Sequence, residues 1–297
     1  MMDRPPDADA PAITADRMPE RVQDREPDTD ADRVSGRESA IGRDSDRVAA
    51  RTEYRALADA VYQVVARQRW EAAKPEFQAE WAEHKRQHPA PPDASPVIDE
   101  PTRRRVEAGC KKIRETEENT ATPVLHRIEA ADPDRRLVGF EHRCKGEERI
   151  MEKVAAALQE QPDLTPEAAL SSVKDANRYT FEYPEDRYTD GVNADVDRLQ
   201  GEGLEPIELK NSWAAEEYKG INSRWRLPED DQLVEVQFHT RISFEAKQLT
   251  HEAYERIRNP TTADTEIREL RQFQRDVCAM VPTPPRAAEV PEILRRS

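Results

Sequence analysis

The sequence has few cysteines and no long apolar run. Its three cysteines, Cys110, Cys144 and Cys278, are far apart and show no C-x-x-C spacing. An odd, scattered set supports neither a disulfide framework nor a cysteine zinc site, so a reducing cytosol is the expected compartment. No apolar stretch reaches the length of a bilayer span, and the N-terminal MMDRPPDADAPA lacks the apolar region of a secretory signal. We therefore expect a cytoplasmic protein with no membrane partner.

Positive charge is also scarce. The 297 residues include 46 Lys and Arg against 61 Asp and Glu, which gives a net charge of −15. Nucleic acids and anionic membranes attract cationic surfaces, so this balance argues against a general binder of either. Apolar residues make up 36% of the chain and charged residues another 36%, so part of the chain is expected to lie outside any packed core.

Shifts in composition divide the chain. Residues 1–48 are rich in Asp, Arg, Pro and Ala with almost no large apolar residue, which predicts a disordered leader. Residues 52–88 repeat apolar and aromatic residues at helical spacing, which predicts a helical segment whose aromatic stripe faces a core or a partner. Residues 89–100 are proline-rich and predict a linker. We expect a folded domain over residues 101–281 and a tail over residues 282–297.

Within the expected domain, helical and strand patterns alternate. Strand-like segments separated by amphipathic helices are followed by hairpin-like neighbours. This order predicts an α+β or α/β fold in which helices flank a mixed β-sheet. The strand-like segments comprise residues 137–140, 173–183, 207–213, 218–227 and 233–238.

The stretch from Gln232 to Tyr254 changes from one residue period to another with no breaker between. Its first part alternates like a strand, with Val234, Val236 and Phe238 on one face. The other face carries groups able to bind metal, base or phosphate: Glu235, Gln237 and His239. A solvated strand face and a functional face both fit this alternation. After Thr240 the period becomes helical, so a strand runs directly into a helix.

Two carboxylates and a set of cations suggest phosphate chemistry. Asp175 and Glu235 lie on separate predicted strands, and carboxylates that converge from neighbouring strands can hold Mg²⁺. Cations concentrate just before and within the first of these strands: Arg143, Lys145, Lys153 and Arg178. Each of them singly fits a solvated face, but together with the carboxylates they favour a nucleotide site.

Four segments in sequence order resemble the synthetase domain of the RelA/SpoT family over about residues 137–258. They are HRCKGEERIMEK, with a basic R-x-K followed by a helical Lys; VKDANRYTF, with an Asp and an Arg three residues on; YKGIN, like an acceptor loop; and VEVQFHT, like the E-x-Q-x-x-T strand. Enzymes of this family move a pyrophosphate group from ATP to a nucleotide 3′-hydroxyl.

The resemblance implies a nucleotidyltransferase-like synthetase fold and a role for each matched residue. It implies that Asp175 and Glu235 hold Mg²⁺ and form the catalytic set with Gln237. It implies that ATP is bound by Arg143, Lys145, Lys153 and Arg178. It implies that the acceptor, a purine nucleotide, is bound by Tyr218, Lys219, Asn222 and His239.

The chain also departs from the family pattern. Asn177 stands where members often have Gly, Trp225 replaces the last His of the acceptor loop, and His239 stands where many have Arg. The triplets and loop RYT, YKGIN and FHT look more like the small toxic branch of the family. No segment resembles the family's hydrolase domain. The resemblance therefore favours a growth-inhibiting toxin or effector, restrained by an antitoxin or immunity protein.

Three functions remain open from the sequence. The first is a pyrophosphokinase that makes a nucleotide alarmone, and the second is a pyrophosphokinase that modifies the 3′ end of tRNA. The third is an inactive binding module with the same fold. The acidity of the chain favours a free purine nucleotide over tRNA as acceptor. His239 and His251 could form a metal pair, but without a recognisable third ligand structural histidines are favoured.

Overall fold

The structure is a computed structural model, and it describes residues 30–89, 98–228 and 232–293. The chain forms two units, Met1–Ala56 and Leu57–Ser297. In the first unit the backbone is helical from Asp30 onward, where the sequence predicts a disordered leader as far as residue 48. The remainder of that predicted leader and most of the predicted linker lie outside the described residues.

Helices flank a single sheet in the second unit. The helices of the chain are α1 (Asp30–Gln87), α2 (Glu100–Thr116), α3 (Thr122–Ala130), α4 (Glu147–Glu160), α5 (Pro166–Ser171), α6 (Tyr188–Gly201), α7 (Arg241–Arg258) and α8 (Asp264–Ala279). The strands are β1 (Arg136–Val138), β2 (Arg178–Tyr183), β3 (Glu205–Asn211), β4 (Ile221–Arg226) and β5 (Leu233–Thr240). Of the helices described, none is both long and apolar enough to span a bilayer.

The sheet is mixed, as the sequence predicts for an α+β fold. Its strand order is β1-β2-β5-β4-β3, and β2 runs parallel to β5 while the other neighbouring pairs are antiparallel. The parallel register places Arg178 opposite Glu235 and Tyr183 opposite Thr240. The two strands that carry the most conspicuous site residues are therefore hydrogen-bonded neighbours.

The alternation read from β5 sets the core. Val234, Val236 and Phe238 are fully buried on one face, as predicted. Phe238 stacks on Phe181 of β2 with ring centroids 6.3 Å apart. The Tyr188 hydroxyl on α6 donates to the backbone carbonyl of Phe238 at 2.9 Å. Buried aromatic and β-branched side chains thus hold α6 and the sheet together.

The C-terminal half of α1 belongs to this same core. Trp70 is fully buried and its Nε1 donates to Glu245 Oε2 at 2.9 Å, while Trp81 Nε1 donates to Glu252 Oε2 at 2.8 Å. The part of the predicted stripe at Trp70 and Trp81 therefore faces a core, whereas Tyr54, Leu57, Val61, Val64 and Val65 are exposed. The sequence placed the stripe in a segment separate from the synthetase domain, but the buried part packs on α7 and α8. One helix also continues through Pro75.

Two further segments differ from the sequence-based expectation. β2 begins at Arg178 rather than at residue 173, because Asp175 lies in a turn. The predicted tail is in contact with the sheet over its described part, where Ile293 and Leu209 exchange backbone hydrogen bonds at 2.9 and 3.0 Å. Val290 is buried beside them. The tail thus pairs with part of β3, which would otherwise be an open sheet edge.

Replacing Trp70 tests whether α1 is part of the core. We expect Trp70→Ala to lower the free energy of unfolding by about 3–5 kcal/mol, because it removes a fully buried ring and the donor to Glu245. Tyr54→Ala is the control, since its side chain is 75% exposed and should cost no more than about 0.5 kcal/mol. Urea unfolding measures both, and equal values would contradict the packing.

Candidate functional site

A cleft of about 800 Å³ brings the predicted carboxylates together. Asp175, in the turn before β2, lines the cleft together with Glu235 of β5. Arg178, the first residue of β2, also lines the cleft and is paired with Glu235 in the sheet. Further lining side chains come from α4, β3, the segment before β4, and α7. The parallel pairing of β2 with β5 explains the convergence, because residues at the start of one strand lie beside residues at the start of the other.

Asp175 is held by two lysines. Its Oδ1 accepts from Lys153 Nζ at 2.9 Å, and its Oδ2 lies 3.0 Å from Lys145 Nζ. Burial alone would raise the pKa of Asp175, but the hydrogen bond from Lys153 and the charges of both lysines outweigh burial and lower the pKa to about 2. Burial lowers the pKa of Lys145, and Asp175 opposes that effect. Asp175 is therefore ionised at neutral pH.

Glu235 has the opposite shift. Burial raises its pKa, the charge of Arg178 and a hydrogen bond from Gln237 lower it, and the charge of Asp175 raises it further. The Gln237 amide donates to Glu235 Oε1 at 2.7 Å and fixes the carboxylate. Two carboxylates whose charges repel across a polar cleft form a donor set that fits a hard divalent cation such as Mg²⁺.

Arg178 is a cation at the start of β2. It lines the cleft, and no carboxylate among the described residues lies within ion-pair distance of its guanidinium. Its positive charge nevertheless acts on Glu235 and on Lys247, whose pKa values it lowers. A guanidinium left without a carboxylate in a concave site is suited to a phosphate, which it can bind through two parallel hydrogen bonds.

Lys247 is a site residue that the sequence analysis did not assign. It lies on α7 and its Nζ donates to Gln237 Oε1 at 2.5 Å. Burial lowers its pKa to about 7, helped by the charge of Arg178 and opposed by Glu235. The available signal was a polar stripe on α7: Ser243, Lys247, Thr250 and Tyr254 recur at spacings of three and four residues, which places them on one helix face.

An aromatic side chain borders the cleft on the same helix. The Tyr254 ring is 45% exposed, and the Arg258 guanidinium lies 5.5 Å from its centroid. Both residues line the cleft. A partly exposed ring beside a planar guanidinium is a surface on which a nucleobase can stack.

Three of the four residues expected to bind the acceptor form a hydrogen-bonded chain at one side of the cleft. The Tyr218 hydroxyl donates to Asn222 Oδ1 at 2.8 Å and lies 2.8 Å from His239 Nε2. The other ring nitrogen of His239, Nδ1, lies 2.8 Å from Ser243 Oγ. Burial lowers the pKa of His239 well below its usual value, as do the charges of Lys247 and Arg178, so the ring is neutral. Tyr218 and Asn222 line the cleft; His239 supports them from behind.

Gly220 is required by this arrangement. Its φ of 148° is rarely adopted by residues with a side chain, and a Cβ there would lie 2.6 Å from His239 Cε1. The imidazole cannot move aside without losing its bonds to Tyr218 and Ser243. The glycine of the YKGIN segment thus allows the loop to pack on His239.

The structure does not bring three of the predicted binding residues into the cleft. Arg143 Nε donates to the buried Glu117 at 2.7 Å, and its guanidinium stacks on Phe140. Lys219 Nζ donates to the backbone carbonyl of Trp213 at 3.0 Å. His239 is fully buried. Each side chain is thus satisfied by the protein itself, so direct contact with ATP or the acceptor is not supported for these three.

The other predicted residues are in place. Lys153, Asp175, Arg178, Tyr218, Asn222, Glu235 and Gln237 line the cleft, and Lys145 reaches it through Asp175. In the described part of the chain, neither His239 nor His251 belongs to a cluster of three ligating side chains.

Several solved structures are similar to this chain. Small alarmone synthetase 1 from Bacillus subtilis is 14% identical, with 61% of this chain and 88% of that chain covered and a TM-score of 0.34. A GTP pyrophosphokinase family protein from Streptococcus pneumoniae is 15% identical, with 61% and 85% covered and a TM-score of 0.35. Small alarmone synthetase 2 from Bacillus subtilis is 13% identical, with 58% and 90% covered and a TM-score of 0.37.

These proteins carry the names of the synthetase family that the four sequence segments resemble. No protein-family model matches the chain, and no curated protein matches it.

Gly220→Ala tests the loop geometry. We expect it to lower the free energy of unfolding by about 1–3 kcal/mol, because alanine is strained at this φ and its Cβ meets the fixed His239 ring. Gly201→Ala is a matched control, since nothing lies within 4 Å of its added Cβ, and it should be neutral or stabilising by up to about 1 kcal/mol. Chemical denaturation measures the free energy of unfolding of both variants. Equal values for the two variants would show that the loop at Gly220 is not constrained.

Lys247→Met tests the buried lysine through pH. With a pKa of about 7 in the folded chain against its usual 10.5, Lys247 binds fewer protons when folded than when unfolded between these values. Stability of the wild type should therefore rise with pH across that window more steeply than stability of the variant. Urea midpoints measured from pH 6 to pH 10 give the difference, and parallel curves would show that Lys247 titrates normally.

Proposed function

We propose that this chain transfers a pyrophosphate group from ATP to the 3′-hydroxyl of a purine nucleotide. The observation that carries the proposal is the convergence of Asp175 and Glu235 in one cleft with Lys153, Arg178 and Lys247 around them. In a chain of net charge −15, a concave site in which three cations lie around these two carboxylates is suited to phosphate groups and a divalent ion.

The ATP side of the site is built from Lys153, Arg178 and the Tyr254–Arg258 pair. Among the described residues, no carboxylate lies within ion-pair distance of Arg178, so its guanidinium can bind phosphate oxygens. Lys153 is bonded to Asp175 but is 39% exposed at the cleft wall, so it can share its remaining donors with a phosphate. A base stacked on Tyr254 would orient the nucleotide between the helix and the sheet.

Asp175 and Glu235 would hold Mg²⁺, which when bound supplies positive charge to the polyphosphate and to the developing charge of the leaving group. Gln237 keeps Glu235 in position through its amide, and Lys247 in turn holds the Gln237 carbonyl. The chain's own residues thus fix the carboxylate geometry before substrates arrive, which lowers the cost of reaching the transition state.

In the transfer itself, the 3′-hydroxyl oxygen of the acceptor bonds to the β-phosphorus of ATP. The bond from that phosphorus to the oxygen bridging the α- and β-phosphates breaks, and AMP leaves with the oxygen. Glu235 accepts the hydroxyl proton, a role that suits a carboxylate whose pKa is raised by burial. Arg178 stabilises the charge on the transferred group.

A free nucleotide is the better acceptor for this cleft. Its lining alternates cations with acidic residues, including Glu160, Glu217 and Glu255. A mononucleotide needs only a few cations inside the cleft, whereas tRNA presents a row of phosphates that these acidic groups would repel. Tyr218 and Asn222 lie where they can contact the acceptor. The growth-inhibiting role, the antitoxin or immunity partner and the cytoplasmic location stay predictions from the sequence.

Carboxylate variants test the proposal. Purified protein with Mg²⁺, ATP and a purine nucleotide should release AMP, and Asp175→Asn or Glu235→Gln should reduce the rate by at least about a hundredfold. Glu160→Gln, which removes a carboxylate from the cleft wall without touching this pair, should stay within about threefold of wild type. AMP release that survives both changes would exclude these carboxylates from the chemistry.

The same assay identifies the acceptor. ATP labelled in its β or γ phosphate is offered separately with ADP or ATP, with GDP or GTP, and with bulk tRNA. We expect label in a free purine nucleotide. Label only in tRNA would overturn the electrostatic reasoning and show that the acidic lining does not exclude polyanions. Label in no acceptor, with folded protein, would favour an inactive binding module.

A further inference from the structure

A second polar cluster lies outside the cleft, where the C-terminal end of α1 meets α8. His84 and His88 are one helical turn apart, and the backbone N–H of His88 still donates to the His84 carbonyl at 2.9 Å. Both rings therefore lie on the same side of the helix, with centroids 4.6 Å apart. α8 presents Glu266 and Glu269, also one turn apart, toward them.

The ligating atoms of this cluster already lie close together. One atom from each of His84, His88 and Glu269 is within 4.8 Å of the other two. His88 Nε2 and Glu269 Oε2 are 3.8 Å apart. Two donors of one tetrahedral zinc ion are separated by roughly 3.3 Å when each bond is about 2.0–2.2 Å, so a small side-chain movement closes the site. Glu269 is 61% exposed and free to make that movement.

Glu266 is bonded to the His84 imidazole and lies near the His88 imidazole. One of its oxygens lies 3.3 Å from His84 Nε2 and the other lies 3.9 Å from His88 Nδ1. Arg256 donates to the same carboxylate at 3.1 Å and to the His88 carbonyl at 2.6 Å. A carboxylate bonded to the second nitrogen of a ligating imidazole fixes the ring and strengthens it as a donor.

From this geometry we propose that His84, His88 and Glu269 bind one zinc ion, with Glu266 orienting the His84 imidazole. Two nitrogens and one carboxylate oxygen match zinc and similar borderline transition metals, whereas Mg²⁺ prefers an all-oxygen set. Trp81 stacks on His84 with centroids 5.3 Å apart, which shields one side of the site from water. The ion would tie α1 to α8 beside the Trp81–Phe273 contact.

Zinc bound only by the folded chain would stabilise it by mass action, so binding and stability give independent measurements. The full chain, stripped with chelator and dialysed, is titrated with Zn²⁺ by calorimetry in buffer with millimolar Mg²⁺, which competes for the carboxylates of the cleft. We expect one equivalent to bind, the melting temperature to rise with Zn²⁺ but not with added Mg²⁺, and Co²⁺ to give the visible absorption of a nitrogen-ligated tetrahedral ion.

Single-residue variants locate the site. His88→Gln and Glu269→Gln should each weaken zinc binding by about tenfold or more and remove the zinc-dependent rise in melting temperature. His126→Gln is the matched control, because His126 Nδ1 also lies 3.1 Å from a surface carboxylate, that of Glu129. The His126→Gln variant should bind zinc as the wild type does. The two test residues are more exposed than His84, so their variants should fold.

The proposal would be overturned if the wild-type chain bound no zinc. It would also be overturned if the wild type bound one equivalent of zinc and His88→Gln and Glu269→Gln bound it with the same affinity. An equal loss of zinc binding in His126→Gln would also overturn it. None of these results depends on pyrophosphate transfer, so they are separable from failure of the proposed activity.

Discussion

The parallel pairing of β2 with β5 is the constraint on which the site depends. It sets Arg178 opposite Glu235, and the turn that delivers the chain to β2 carries Asp175. Since side chains alternate across a strand, a register shift of one residue would move Glu235 and Gln237 to the opposite face of the sheet. It would also expose Val234, Val236 and Phe238. The buried face therefore fixes the position of the functional face.

The polar groups on that face are costly to bury, and each of them is hydrogen-bonded to another polar group. Glu235 and Lys247 both lose hydration, which raises the pKa of the acid and lowers the pKa of the base. Gln237 lies between them, donating to Glu235 and accepting from Lys247. Asp175 is compensated more completely, because two lysines bond its oxygens and keep it ionised. The two carboxylates thus differ in proton affinity, which suits one to steady negative charge and the other to proton transfer.

Much of the fold could be predicted from local sequence patterns, and the reason is visible in β5. Its strict alternation and the direct change to helical period at Thr240 are local signals, and the structure has a strand to Thr240 and a helix from Arg241. The positions of the residues that the sequence patterns missed or misplaced are set by contacts with residues distant in sequence. Arg143 pairs with Glu117 instead of facing the cleft, and no nearby residue signals this. Lys247 resembles any surface lysine of an amphipathic helix until β5 is placed beside it.

The position of α1 was least predictable, because its packing partners lie about 170 residues away in sequence. Its consequence reaches the cleft through α7. Glu245 accepts from Trp70 and Lys74 of α1; burial would raise its pKa, but these bonds and Arg241 lower it to about 2. Lys247, two residues further on and therefore about 200° around the helix, bonds Gln237 on the cleft side. The helix that supplies Lys247 is thus held on one side by α1 and on the other by β5, so α1 helps to set the geometry of a site that it does not touch.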